Sequence, residues 1–319
     1  MEHSTDSTIN PLLLSYLHPR YWLVWLGIAL LRIIVWLPWR TQMTLGRILG
    51  NMLYVLLKKR RAISCINLRL AFPELTTQQR NQLNRRHFIS LVQGFFEAAL
   101  SWWGSERKLK PLFKTQGEQY LKEALEQGKG VLLLSAHFTS LELGGRLLTL
   151  AQPDVPLHVV YRPHQNALIE SLVADIRATR YGKAIPKNNI REMIKSLRSG
   201  FPLWYAQDQS YQGKNSVVVP FFGVPTSTNS ATSRFAKLSK AVVIPFFTVR
   251  DGESGYLLRF LPPLDNFPGA DISQDTQLIN LLIESQVREF PEQYLWTHKR
   301  FKSNHQDIYN PIQPDGECL

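Results

Sequence analysis

Tyr21 to Trp39, YWLVWLGIALLRIIVWLPW, is a run of 19 residues carrying a single charge, Arg32. About 20 apolar residues wound as a helix cross the hydrocarbon of a bilayer, so this segment limits what the chain can become more than any other. Trp22 and Trp25 stand near one end, Trp36 and Trp39 near the other, and these are half of the eight tryptophans in the chain. Indoles at both ends suit the two membrane–water interfaces. Arg32 opposes spanning, since a central Arg costs about 2.5–3.5 kcal/mol on insertion scales. It lies past the midpoint, where its stem can carry the charge toward the basic end. The competing reading is a buried core helix. A secretory signal is disfavoured, because Glu2 and Asp6 precede the apolar run and no small-residue cleavage site follows it.

The flanking charge orients the segment. From Ser7 to Pro73 there is no acidic residue, and nine basic ones: Arg20, Arg32, Arg40, Arg47, Lys58, Lys59, Arg60, Arg61 and Arg69. Arg20 is offset by Glu2 and Asp6, whereas the downstream side is purely basic. Positive flanks stay in the cytoplasm, so a single pass leaves the bulk of the chain cytosolic and against anionic lipid. Leu45–Leu57 is too short to span and reads as an interfacial helix feeding the run Lys58-Lys59-Arg60-Arg61. Over the whole chain 37 Lys and Arg face 25 Asp and Glu, a balance of +12 that draws anionic partners. The basic excess hugs the apolar segment, which argues against a nucleic-acid-binding surface. Two cysteines, Cys65 and Cys318, make neither a disulfide framework nor a metal cluster, and a reducing compartment suits them.

Beyond the basic run, strands and helices alternate. Thr76–Trp103, Gln119–Gln127, Leu141–Ala151, Asn166–Arg180, Asn189–Arg198 and Gln277–Glu289 read as helices. VLLLSAH (131–137), LHVVYR (157–162) and LWYAQD (203–208) read as buried strands, with SVVVPFFG and AVVIPFFTV as two further β-rich runs. The predicted fold is α/β, a mostly parallel sheet flanked by helices and preceded by one N-terminal transmembrane helix. The N-terminal ten residues and the tail after Ile308 read as loose.

G-x-S-x-G, H-E-x-x-H, a P-loop and a dinucleotide fingerprint are all missing, so ordinary polar side chains must carry any chemistry. In open α/β sheets ligands sit beyond the carboxyl ends of the strands. Three such ends are polar here: SAHFTSLELGG with His137 and Glu142, VYRPHQN with Arg162, and WYAQDQ with Asp208. His137 and Glu142 lie about 140° apart on one continuous helix, and meet only if His137 ends a strand and Glu142 enters the first helical turn. Thr139 or Ser140 would cap that helix, whose positive N-terminal field keeps Glu142 ionised. A carboxylate on one imidazole nitrogen fixes the tautomer and leaves the other free to take a proton, as a general base for a hydroxyl requires. A hydrogen-bonded core histidine beside a surface glutamate is the plain alternative.

The stretch HFTSLE (137–142) is similar to the H-x4-D/E signature of glycerolipid-type acyltransferases. LHPRYWLVWLGI (17–28), INLRLAFPEL (66–75), VYRPHQN (160–166), WYAQDQ (204–209), VPFFGVPTST (219–228) and EQYLWTHKRFK (292–302) resemble the late acyltransferases of lipid A biosynthesis, the lauroyl/palmitoleoyl branch in particular. The resemblance spans about residues 16 to 302. It implies transfer of a fatty acyl chain, C12–C14 favoured, from acyl carrier protein to a 3-hydroxyacyl hydroxyl of Kdo2-lipid IVA. The work would be done at the cytoplasmic face of the Gram-negative inner membrane, without metal or organic cofactor. His137 becomes the general base and Glu142 its orienting partner. Arg162 holds a glucosamine phosphate or the thioester oxyanion, unless it merely pairs with Asp208. Asp208 positions Arg162 or the acceptor. Asn166, Gln209, Lys299 and Arg300 are further pocket candidates. Some relatives carry a second acid two residues after the aspartate, where this chain has Ser210. The chain then divides into a loose or cytoplasm-excluded segment (1–19), a membrane anchor (20–40), a basic interfacial helix (41–61), a catalytic domain (62–308) and a loose tail (309–319). A lysophospholipid or another glycolipid is the alternative acceptor, although the F-P-E-G-T-R-type motif of phosphatidate-making enzymes is missing.

Overall fold

A computed structural model describes residues 16–252, 255–302 and 306–310. The helices are α1 (Trp22–Trp36), α2 (Trp39–Leu56), α3 (Lys58–Ala71), α4 (Thr77–Trp103), α5 (Gln119–Glu126), α6 (Leu141–Ala151), α7 (Ala167–Arg180), α8 (Ile190–Arg198), α9 (Ala231–Ser239) and α10 (Ile272–Glu289). The strands are β1 (Phe113–Gln116), β2 (Val131–Ser135), β3 (His158–Tyr161), β4 (Lys183–Pro186), β5 (Pro202–Ala206), β6 (Ser216–Phe221), β7 (Val224–Asn229), β8 (Val242–Arg250) and β9 (Tyr256–Phe260). Seven strands form one sheet in the order β1-β9-β8-β2-β5-β3-β4, parallel throughout except for the antiparallel pair β8–β9. This is the predicted mostly parallel sheet flanked by helices.

Every residue of β2 is buried, as a strand covered on both faces requires. Its side chains alternate between two cores. Leu132 and Leu134 pack in one with Met193 and Leu197 of α8, Phe235 of α9, and Ile279 and Ile283 of α10. Val131 and Leu133 pack in the other with Ala99 and Leu100 of α4, Leu143 and Leu147 of α6, and Trp39 of α2. The run SVVVPFFG is β6, but it joins β7 in a separate hairpin rather than the main sheet. Phe222 and Gly223 both have positive φ, 52° and 73°, as a two-residue hairpin turn with the twist of its strands demands. Glu284 accepts the Phe222 N–H at 2.7 Å and so holds the turn.

The apolar run is α1 and remains largely outside the cores. Only 11% of Pro19–Trp36 is buried, and Leu23 and Trp36 are 82% and 75% exposed. This is the helix long and apolar enough to cross a membrane among the described residues. Arg32 lies over the Trp103 ring at 5.3 Å, so its charge is met by an aromatic face of α4. The chain breaks at Leu37-Pro38 and restarts as α2. That helix buries Trp39, Gln42, Gly46 and Gly50 on one stripe and exposes Ile48, Met52, Val55 and Leu56 on the other. It is amphipathic as expected, yet its buried side rests on α4. Glycines allow the close approach: a Cβ on Gly50 would sit 2.5 Å from the Ile89 Cα. Lys58–Arg61 open α3 instead of closing the interfacial helix.

A buried polar chain ties α2 to the sheet. The Trp39 indole N–H donates to the Tyr256 hydroxyl at 2.9 Å, which donates to Glu97 Oε1 at 2.9 Å, and Arg250 Nε lies 2.8 Å from the same oxygen. Burial pushes the Glu97 carboxyl up, opposed by the charge of Arg250 and the bond from Tyr256. Cys65 is buried on α3; Cys318 lies outside the described residues. Tyr309, read from the sequence as part of a loose tail, is 1% exposed and donates to Asn67 Oδ1 at 2.5 Å. The rest of that tail and residues 1–15 lie outside the described residues.

The α2–α4 contact is testable by adding one carbon. Gly50→Ala should lower stability by about 1–3 kcal/mol by overpacking against the α4 backbone, read as a drop in Tm in detergent micelles. Gly27→Ala on α1, where nothing lies within 4 Å of the new Cβ, should leave Tm unchanged or slightly raised.

Candidate active site

The carboxyl ends of β2, β5 and β3 are neighbours in the sheet. Ser135 of β2 pairs with Ala206 of β5. Two residues further on each strand stand His137 and Asp208, so equal offsets from a paired register bring them face to face. The His137 backbone N–H donates to Asp208 Oδ1 at 3.0 Å, and His137 Nδ1 lies 2.6 Å from the same oxygen. The Asp208 side chain is 2% exposed and that of His137 27%. Burial pushes the Asp208 carboxyl up. The charge of His137, the two bonds from it and the charge of Arg300 outweigh burial and hold it at about 2. An ionised carboxylate cannot donate, so Nδ1 carries the proton and Nε2 is the nitrogen left to accept one. Burial pushes the imidazole down, but the charge of Asp208 and the bond to it win, so His137 titrates above its ordinary 6.5.

The loop bearing His137 is clamped from two sides. Thr139 N–H donates to Gln293 O at 2.7 Å, and Leu295 N–H donates to His137 O at 3.0 Å. The Gln293 amide in turn accepts from Arg250 N–H at 2.8 Å and donates to Arg250 O at 3.0 Å. From the α4 side, Ser90 Oγ lies 2.8 Å from Thr139 Oγ1, and the Arg250 guanidinium bonds both hydroxyls. Neither Thr139 nor Ser140 caps α6 with its side chain, contrary to expectation; the Ser140 hydroxyl donates to Thr248 O at 2.6 Å. Ser90, Arg250 and Gln293 were missed by the sequence reading. Only Gln293 lies in one of the recognised stretches.

The expected His137–Glu142 pair is not the one formed. Glu142 does enter the first turn of α6, but its Oε1 accepts from the Trp102 indole at 3.1 Å, while the imidazole turns to Asp208. Five residues of strand end and helix start carry Glu142 away from Nδ1, whereas the parallel neighbour strand delivers Asp208 directly. Both His137 and Glu142 still line one cleft of about 190 Å³, with Arg162, Arg177, Tyr161, Tyr181, Trp204 and Tyr205 among its walls. Arg162 is exposed on that wall, and the bonds of Asp208 go to His137 rather than to Arg162. Arg177 of α7, not anticipated, lies over the Tyr161 ring at 4.6 Å and adds a second cation to the cleft.

Four other sequence candidates fall outside the cleft wall. Asn166 caps α7, accepting from Leu168 N–H and Ile169 N–H at 3.1 and 3.2 Å. Arg300 is 1% exposed and donates to Ser227 O and Thr228 Oγ1 of β7 at 3.2 and 2.9 Å. Its charge still helps hold Asp208 ionised. Lys299 lies over the Tyr309 ring at 5.2 Å. Gln209 is half-buried. Its neighbour Gln207 accepts the Thr232 N–H at 2.9 Å at the start of α9. Among the described residues no three His, Cys, Asp or Glu side chains converge as a metal-ligand set.

A family model of bacterial lipid A biosynthesis acyltransferases matches residues 11–303. The chain is 36% identical over 291 residues to the lipid A biosynthesis palmitoleoyltransferase of Escherichia coli (strain K12), covering 91% of this chain and 94% of that protein. It is 35% identical over 297 residues to the lipid A biosynthesis lauroyltransferase of the same strain, covering 92% and 96%. A lipid A biosynthesis acyltransferase of Haemophilus influenzae is 34% identical over 294 residues, covering 90% and 93%.

The two carboxylates make opposite predictions for His137. Asp208→Asn removes the charge and leaves burial, so the imidazole should fall below 6.5; Glu142→Gln should leave it above 6.5. Peptide-resolved mass spectrometry of diethyl pyrocarbonate modification across pH reads the neutral imidazole directly. A midpoint moved by Glu142→Gln and not by Asp208→Asn would overturn the pairing.

Proposed function

The chain belongs to the bacterial lipid A biosynthesis acyltransferases, and on that premise we propose that it moves a fatty acyl chain from acyl carrier protein to a 3-hydroxyacyl hydroxyl of Kdo2-lipid IVA. The observation that carries the chemistry is the 2.6 Å contact of His137 Nδ1 with a buried, ionised Asp208, with the other ring nitrogen left at the cleft. Nε2 takes the proton of the acceptor hydroxyl as its oxygen bonds to the thioester carbon. The tetrahedral oxyanion then collapses, the C–S bond breaks, and the imidazolium returns its proton to the leaving thiolate. Asp208 orients the ring and stabilises the imidazolium without itself becoming protonated. Glu142 lines the same cleft, where Arg162 and Arg177 hold phosphate or the developing oxyanion.

The setting supports the same substrates. The acceptor carries phosphates and Kdo carboxylates, and a chain of net charge +12 attracts it. The exposed apolar sides of α1 and α2 hold the enzyme where a lipid acceptor resides, which raises its effective concentration. Their basic flank supports a cleft on the cytoplasmic side of the inner membrane, with α1 as a single pass. The two Escherichia coli relatives are named for a lauroyl and a palmitoleoyl donor at nearly equal identity. A saturated C12–C14 donor is the proposal for this chain.

Mass spectrometry of Kdo2-lipid IVA, incubated with detergent-solubilised enzyme and carrier thioesters from C12 to C16, tests the reading. One added acyl mass is expected, with the rate reduced about 10²–10⁴-fold in His137→Ala. Product on a lysophospholipid and none on Kdo2-lipid IVA would replace the acceptor. Equal product from His137→Ala would remove the base.

A further inference from the structure

The helices α8 and α9 form a basic face that the proposed chemistry leaves unused. Arg191, Lys195 and Arg198 recur at i, i+4 and i+7, so they share one side of α8, and all three are exposed. On α9, Arg234 and Lys237 are exposed, with Lys240 at the C-cap. The one acidic residue in either helix is Glu192, whose carboxylate is taken by Lys183. Two apolar side chains interrupt the charge, Ile190 at 45% and Leu238 at 50% exposure. Arg198 staples the helices together, donating from Nε and Nη2 to Leu238 O at 3.0 and 2.8 Å. The shallow hollow between them measures about 370 Å³.

Two features say what this face meets. It is not the membrane side. Met193, Leu197 and Phe235 pack on the Leu132/Leu134 side of the sheet, whereas Val35 of α1 and Trp39 of α2 pack on the opposite side. The patch therefore looks away from the apolar helices. It also begins at the cleft: Lys187 N–H, just ahead of α8, donates to the carbonyl of the cleft-lining Tyr161 at 2.8 Å. A soluble acidic partner seated here delivers a tethered group to the mouth beside His137. Rows of fixed cations with an apolar contact between them match a partner helix that carries carboxylates around an apolar spot.

We propose that the α8–α9 face is the docking surface for the acidic carrier protein that presents the thioester, an assignment that rests on the donor proposed above. The test compares the double variant R191E/K195E with the wild-type full-length enzyme in detergent. One donor is carried on acyl carrier protein; the other is the same acyl chain on free pantetheine. The expected result is a rise of about tenfold or more in KM for the carrier-borne donor, with a flatter dependence of kcat/KM on salt. The pantetheine donor should keep its kcat/KM within about twofold, and binding to anionic vesicles should be retained. An unchanged KM for the carrier-borne donor overturns the assignment. So does loss of vesicle binding with the carrier KM intact, which makes the face a lipid surface. A wild-type enzyme that turns over acyl-pantetheine and ignores the carrier-borne chain removes the donor reading itself, and the docking surface with it.

Discussion

A carboxylate at 2% exposure is the constraint around which the site is built. Removing such a charge from water costs several kcal/mol unless cations and N–H donors meet it. Asp208 is met by the His137 ring, the His137 backbone N–H and the nearby charge of Arg300. The same contacts that make the buried charge tolerable choose the imidazole tautomer and raise its basicity. Stability and chemistry therefore share one interaction. Arg300 serves it by its charge while its guanidinium bonds Ser227 and Thr228 of β7.

An imidazole held this way keeps its orientation only if its loop is equally fixed. Three backbone and side-chain bonds to Gln293, Leu295 and Ser90 leave the segment 137–139 little freedom. Arg250 links this clamp to α2. Its guanidinium bonds Thr139 and Ser90 and pairs with Glu97, which takes the Tyr256 hydroxyl, which takes the Trp39 indole at the start of α2. Helix α2 and the loop bearing His137 are thus joined by one buried polar chain. The cleft is held at a definite position relative to the apolar faces of α1 and α2, which suits an acceptor that stays in a bilayer.

Local pattern carried much of this. Continuous apolar runs placed β2, β3, β5 and β8, and helical periodicity placed α4, α7 and α8 to within a residue or two, with Thr76, Asn166 and Asn189 as their N-caps in the structure. The short strands β1, β4, β7 and β9 were not legible. Each has four to six residues and is ordered by its neighbour across the sheet or hairpin rather than by its own hydrophobicity. Leu45–Leu57 was legible as amphipathic, but not its seat on α4, because Gly46 and Gly50 signal close approach only once a partner helix is known.

The sequence by itself determined the apolar N-terminal helix, the basic flank, the α/β class and the presence of His137, Glu142, Arg162 and Asp208 at strand or helix ends. Composition and period report local burial, and they survive without knowledge of what lies alongside. Which carboxylate holds His137 was decided by tertiary structure alone. Glu142 is five residues away in sequence and Asp208 seventy-one, yet β2 and β5 pair in parallel with Ser135 opposite Ala206, and equal offsets beyond that pair bring His137 onto Asp208. Strand order is a long-range property of the fold, set by two cores packing at once, and no spacing along the chain encodes it.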